Sequence, residues 1–230
     1  MAKVQRLRIT FTRGDELKYI THLDMMRFWE RTLRRAGLPV AYSEGFTPHP
    51  QISLATPLAV GTTSEAELMD VYLSEHVPSK RFLSQLAKQL PAGVTAVAAE
   101  EVGLSLPAVQ ADVRFAEYDV DVEGATEDDA RAKAEAFLAK PSVPWEHKRE
   151  KETRAYDIRA LVETIDVAPR DRGVRLHMRL RSDNAGAGRP EQVVAALGQP
   201  APSRIHRTKL VLAQRSPALE AWRKRGRFAG

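Results

Sequence analysis

Apolar and polar residues alternate over residues 4–12, where Val4, Leu7, Ile9 and Phe11 stand among polar neighbours. A period of two predicts a strand. The period then lengthens. Over residues 22–36, Met26, Trp29, Leu33 and Ala36 fall on one side of a helix, with Thr21 as its cap and Gly37 and Pro39 as its stop. Short strands are expected at 40–43 and 52–55 around a Gly/Pro-rich loop, and another at 66–73. Phe82, Leu83, Leu86 and Leu90 predict a helix over 79–90, and a strand follows at 94–98. This order is β-α-β-β-α-β, a ferredoxin-like split unit.

The segment from Leu104 to Val109, with Pro107, marks a candidate boundary. Beyond it, Val113, Phe115, Tyr118, Val120 and Val122 alternate over a strand at 113–122. A helix is expected at 126–139, capped by Thr126, then strands at 142–147, 156–164 and 173–181. A short helix at 191–197 follows Pro190, and a last strand is placed at 207–213. The predicted class is α+β, with two ferredoxin-like units in tandem. Residues 1–104 form the first unit, 110–214 the second, and 215–230 a basic tail. No sequence repeat establishes a duplication.

Composition sharpens this picture at two points. Cysteine is absent from all 230 residues, so the chain itself offers no disulfide, Cys-based zinc site, Cys nucleophile or Cys-ligated iron–sulfur cluster. Charge is segregated: residues 51–130 hold four Lys/Arg against fourteen Asp/Glu, whereas residues 201–230 hold eight against one. Basic faces point to a polyanion partner, and the acidic middle equally suits a basic protein partner. No apolar run approaches the length of a membrane span, and the first residues lack a signal-peptide core, so a cytoplasmic protein without membrane contact is expected.

The first helix carries the most informative chemistry. Arg27, Arg31 and Arg34 lie opposite its packing side, with Arg35 close by. Guanidinium forks suit phosphate or carboxylate. The alternative is a solvated face with internal pairs such as Asp24 with Arg27. His22 and Asp24 are two residues apart and point away from each other, so they do not share a metal within the helix. Tyr42-Ser43-Glu44-Gly45-Phe46-Thr47-Pro48-His49-Pro50 is a loop stiffened by two prolines around His49. Tyr42 and Phe46 offer rings for stacking, with Ser43 and Gly45 shaping the loop. Trp145 and Tyr156 are interleaved with basic residues from His147 to Arg159, as a nucleic-acid path requires. Asn184-Ala185-Gly186-Ala187-Gly188-Arg189 precedes a helix as a phosphate site would. It lacks both the dinucleotide fingerprint and the P-loop pattern, and a plain loop is the expected reading.

Three of these segments, Lys18-Tyr19-Ile20-Thr21-His22-Leu23-Asp24, Arg34-Arg35-Ala36-Gly37-Leu38-Pro39 and the loop Tyr42 to Pro50, occur in the order seen in a known family. With Tyr156-Asp157-Ile158-Arg159-Ala160-Leu161-Val162 they resemble the radical SAM-linked protein family. This bacterial domain is found beside or fused to radical SAM proteins with a B12-binding-type domain. Thr21 stands where the family more often has Ser, and Thr47 where it more often has Asn. The resemblance implies a separate radical SAM partner that does the radical chemistry. The expected function is an accessory RNA-binding subunit in tRNA or rRNA modification. Asp24, Arg27, Arg31, Arg34, Arg35 and Arg159 would hold RNA, and Tyr42, Ser43, Gly45, Phe46 and His49 would line a recognition pocket. The alternatives are a metal-independent RNA-processing enzyme using His22 or His49 with Tyr19, and a non-RNA adaptor. No cofactor and no metal site are expected in the chain itself.

Overall fold

The computed structural model describes residues 2–149 and 152–213; the basic tail expected at 215–230 lies outside them. The first half runs β1 (Gln5–Arg13), α1 (His22–Arg35), β2 (Ile52–Leu54), β3 (Thr63–Leu73), α2 (Ser79–Ala87) and β4 (Ala96–Glu101). A short helix, α3 (Val109–Asp112), leads into the second half. There follow β5 (Val113–Glu123), α4 (Glu127–Leu138), β6 (Pro144–Arg149), β7 (Glu152–Asp157), β8 (Val162–Arg170), β9 (Gly173–Asp183), β10 (Gly186–Ala187), α5 (Pro190–Ala196) and β11 (Arg204–Leu212). The fold is α+β. Among the described residues, no helix is long and apolar enough to cross a membrane.

Nine of the strands form one sheet, in the order β10-β9-β5-β11-β3-β1-β4, with β2 added on β3 and β8 on β9. In the first half β4, β1, β3 and β2 are neighbours in that order and every pairing is antiparallel. In the second half β11, β5, β9 and β8 are likewise neighbours, again all antiparallel. Each half has its own apolar core. The seam is a short parallel pairing of β11 with β3, His206 opposite Thr63 and Arg207 opposite Ser64.

Local chemistry explains the elements that position the rest. Thr21 Oγ1 accepts from the Asp24 backbone N–H at 3.2 Å and donates to Asp24 Oδ2 at 2.7 Å, closing the start of α1. Gly37, at φ 63°, ends it in a conformation that side chains with a Cβ seldom adopt. The buried residues of α1 are Met25, Trp29, Thr32 and Leu33, so Met25 rather than Met26 lies deepest. Trp29 packs edge-on against Phe11 of β1, with ring centroids 4.8 Å apart.

The back of β1 is charged and buried. Arg6 and Arg8 share the fully buried carboxylate of Asp70 on β3. Arg6 also donates to the carbonyls of Leu106 (2.7 Å) and Pro107 (2.6 Å), and the Val109 N–H donates to Asp70 at 2.9 Å. The candidate boundary at 104–109 is thus tied across the sheet.

Several expectations change. Residues 40–43 form only isolated bridges, Val40 to Leu73 and Tyr42 to Pro50. Residues 142–147 do not join the main sheet: β6 and β7 pair with each other, and the third long strand begins at Val162 rather than 156. Trp145 and Tyr156 pack on the second core, which fixes this hairpin as a separate arm.

Arg207 is 1% exposed and donates to Glu67 through Nε at 2.7 Å and through Nη2. Its Nη1 reaches Thr56 Oγ1 at 3.0 Å. Arg207→Met should strand the Glu67 charge at the seam and cost about 3–5 kcal/mol in urea unfolding, whereas the double variant E67L/R207M should recover most of that loss. Equal losses in the single and double variants would refute this account.

Candidate nucleic-acid interface

The turn before α1 is built on a buried arginine. Arg13 donates to the carbonyls of Leu17 (3.0 Å), Lys18 (2.9 Å) and Ile20 (2.6 Å). These bonds satisfy a turn that would otherwise bury unpaired oxygens, and they fix where Tyr19 and His22 project. Tyr19 is exposed, with the Lys18 ammonium 5.3 Å from its ring centre. The Gly61 N–H donates to Lys18 O at 2.7 Å, which fastens the 55–62 loop to the same turn.

His22 is half-buried over a cavity of about 10 Å³ lined in part by Arg13, Met25, Thr56, Leu58 and Glu67. Burial lowers its pKa from the ordinary imidazole value; Arg13 pushes the same way and Glu67 opposes. Arg13 itself is lowered, first by burial and then by Arg207, against the pull of Glu67. Arg207 is raised: burial disfavours its charge, but Glu67 and Tyr118 outweigh that. Neutral His22 therefore sits in a cluster of two cations and one carboxylate.

Arg27, Arg31, Arg34 and Arg35 are all exposed along α1, as the helical spacing predicts. Arg27 faces Asp24 at 3.6 Å in a solvated pair, and Arg35 donates to Thr32 Oγ1 (3.2 Å) and the Gln89 carbonyl (3.3 Å). Among the described residues, no ion pair engages Arg31 or Arg34. The helix thus presents four guanidinium groups with one local carboxylate, enough to bind a run of phosphates.

The loop projects separately. Ser43 N–H donates to His49 O at 2.9 Å and His49 N–H to Ser43 Oγ at 3.0 Å, pinching its base. Gly45 at φ 118° makes the turn at the tip, and Phe46 is fully exposed there. Tyr42 packs partly into the first core, and His49 is exposed. No hydrogen bond among the described residues joins His49 to His22 or Tyr19. Arg159 lies elsewhere: it donates to the carbonyls of Leu138 (3.1 Å) and Val162 (2.7 Å), holding a turn of the second half. Among the described residues, no three His, Asp or Glu side chains are grouped as metal ligands.

The buried cluster of Arg13, Glu67 and Arg207 was not foreseen from the sequence. Its signal was parity: Glu67 is in phase with Met69, Val71 and Leu73, and Arg13 with Leu7, Ile9 and Phe11, so both point inward.

A family model described as "Uncharacterized protein conserved in bacteria (DUF2344)" matches residues 6–190. No curated protein matches the chain. Among solved structures, a Cbf5-Nop10-Gar1 complex is similar at 11% identity and a TM-score of 0.49, covering 90% of this chain and 49% of that one. An archaeal box H/ACA sRNP Nop10-Cbf5 complex is similar at 13% identity and a TM-score of 0.40, covering 89% and 47%. The chain therefore spans about half the length of these structural relatives.

Because burial depresses its pKa, His22 favours the neutral form in the fold. Its contribution to stability is present above the unfolded value near about 6.5 and is lost as pH falls through the lower folded value. In an NMR titration the His22 ring should show a midpoint below about 6.5, and His22→Gln should flatten the acid side of the stability profile. A midpoint at or above that value would contradict the depressed pKa.

Proposed function

The chain belongs to the DUF2344 family of proteins conserved in bacteria, and from that premise we propose that it binds RNA, with the exposed arginine face of α1 holding phosphates. The observation that carries this reading is the contrast between arginines. Those of the sheet, Arg6, Arg8, Arg175 and Arg207, are spent on buried or half-buried carboxylates, whereas Arg31 and Arg34 on α1 face solvent without ion pairs among the described residues. We read the two halves as ferredoxin-like units, since both repeat the same antiparallel neighbour order.

The finer role is that of a companion to a separate radical SAM enzyme acting on tRNA or rRNA. Its support is the resemblance of the Lys18–Asp24, Arg34–Pro39 and Tyr42–Pro50 segments, together with a chain that has no cysteine to hold a cluster. The loop tip with Phe46 and the exposed His49 would then contact a base. A second reading, a stand-alone RNA-processing enzyme, draws on one observation. His22 is held neutral by its surroundings beside Glu67, as a general base must be.

Affinity for bulk bacterial tRNA should fall steeply with salt. R31A/R34A should lower it and reduce the slope of log K against log salt by about 1–2, because each lost contact retains fewer displaced counterions. Binding that ignores both salt and these two arginines would end the phosphate role. Native purification at low salt separates the finer readings. A co-purifying radical SAM protein with RNA supports the companion, that protein without RNA an adaptor, and RNA alone the stand-alone enzyme.

A further inference from the structure

A second concavity lies at the seam, away from the arginine face. It has a volume of about 560 Å³, within the range of small-molecule sites. The 55–62 loop of the first half forms one wall and the segment 182–191 the other. The Asn184–Arg189 stretch, which the sequence presents as a plain loop, is thus a wall of this cleft. The wall sits where it does because of Gly188. A Cβ there would come within 2.9 Å of Leu180 Cβ and 3.0 Å of the Leu161 carbonyl oxygen, so only glycine lets the chain approach the sheet this closely.

We propose that this cleft binds one nucleotide, free or within an RNA strand; the strand-borne form rests on the RNA reading above. Leu58 and Tyr118 supply apolar surface at depth, both being buried residues that border the cleft. Beside them lies Arg207, whose guanidinium is already committed to Glu67 and Thr56, so the floor brings no unsatisfied charge to a base. The rim is polar. Gln110 and Asn184 are exposed, and their amides offer both donors and acceptors to the edge of a heterocycle. Arg189 is exposed on the same rim and supplies a fork for one phosphate.

Two carboxylates border the cleft as well. Asp183 is held by Arg181 Nε at 2.9 Å and by the N–H groups of Ala185 (2.8 Å) and Gly186 (3.2 Å). That leaves its charge balanced and its position fixed. Glu191, half-buried, is placed to accept from ribose hydroxyls. Apolar walls, two amides, one guanidinium and one carboxylate together match base, phosphate and sugar. A hydrocarbon ligand would leave the rim groups unpaired, and a bare phosphate would leave the walls unused.

The test uses the full chain, with adenosine and uridine 5′-monophosphates and bulk bacterial tRNA as probes. Ala59→Trp fills the mouth from an exposed position, and Arg189→Ala removes the phosphate fork; thermal melts of both should match the parent. Free monophosphates should shift the NMR signals of residues 56–60 and 184–189, and either variant should weaken that binding about tenfold. If free monophosphates do nothing but A59W weakens tRNA binding by a similar factor, the cleft takes a nucleotide held in a strand. If neither probe responds to the cleft variants, the proposal is overturned, while tRNA binding that still depends on Arg31 and Arg34 leaves the RNA reading intact. Loss of that reading with monophosphate binding retained identifies a free nucleotide.

Discussion

The pairing of Arg207 with Glu67 is the interaction on which the architecture turns. The two halves have separate cores and meet along only a short parallel register of β11 with β3. Backbone pairing that brief fixes little by itself. Burying a guanidinium and a carboxylate at the join adds a strict geometric demand, because both charges lose water and must find every partner in the protein. Arg207 meets that demand with Glu67, Thr56 and the Pro57 carbonyl. The same contacts set the 55–62 loop, which borders His22 on one side and the cleft on the other.

The segregation of charge along the chain finds its explanation in strand pairing. The acidic middle contributes β3 and β5, and the basic stretches contribute β1, β9 and β11 as their neighbours. Asp70 takes Arg6 and Arg8, Glu67 takes Arg207, and Asp119 and Asp121 take His177 and Arg175. Burial alone would raise the Asp121 pKa, yet Arg175 and Arg170 hold it below the ordinary carboxylate range. Much of the acidic surplus is therefore internal complement rather than a surface for a basic partner. What remains outside this accounting is the arginine row on α1.

Placing cations on a rigid helix and a mixed apolar and polar cleft on the sheet seam divides two tasks. Exposed guanidinium groups supply long-range, sequence-independent attraction to phosphates. A shaped cleft supplies discrimination, because its amides must be satisfied by the right edge. The seam joins the two, since Thr56 and Leu58 border both the cleft and the cavity below the first turn of α1.

Local periodicity determined much of this protein. The alternation in β1, β5 and β9, the Thr21 and Thr126 caps, and the exposed arginine face of α1 all follow from neighbours within a few residues. The inward parity of Glu67 and Arg13 was also legible, because side-chain direction in a strand is fixed by counting. Tertiary structure alone decided the rest. Nothing local states that β11 docks beside β3, that β6 and β7 leave the main sheet, or that Arg159 is spent on the Leu138 and Val162 carbonyls. Nor does it bring Leu58, Tyr118 and Arg189 to one cleft. Those outcomes depend on which strand edges remain free once each half has closed, and on where a buried charge finds its partner, and both are set by contacts between residues far apart in the chain.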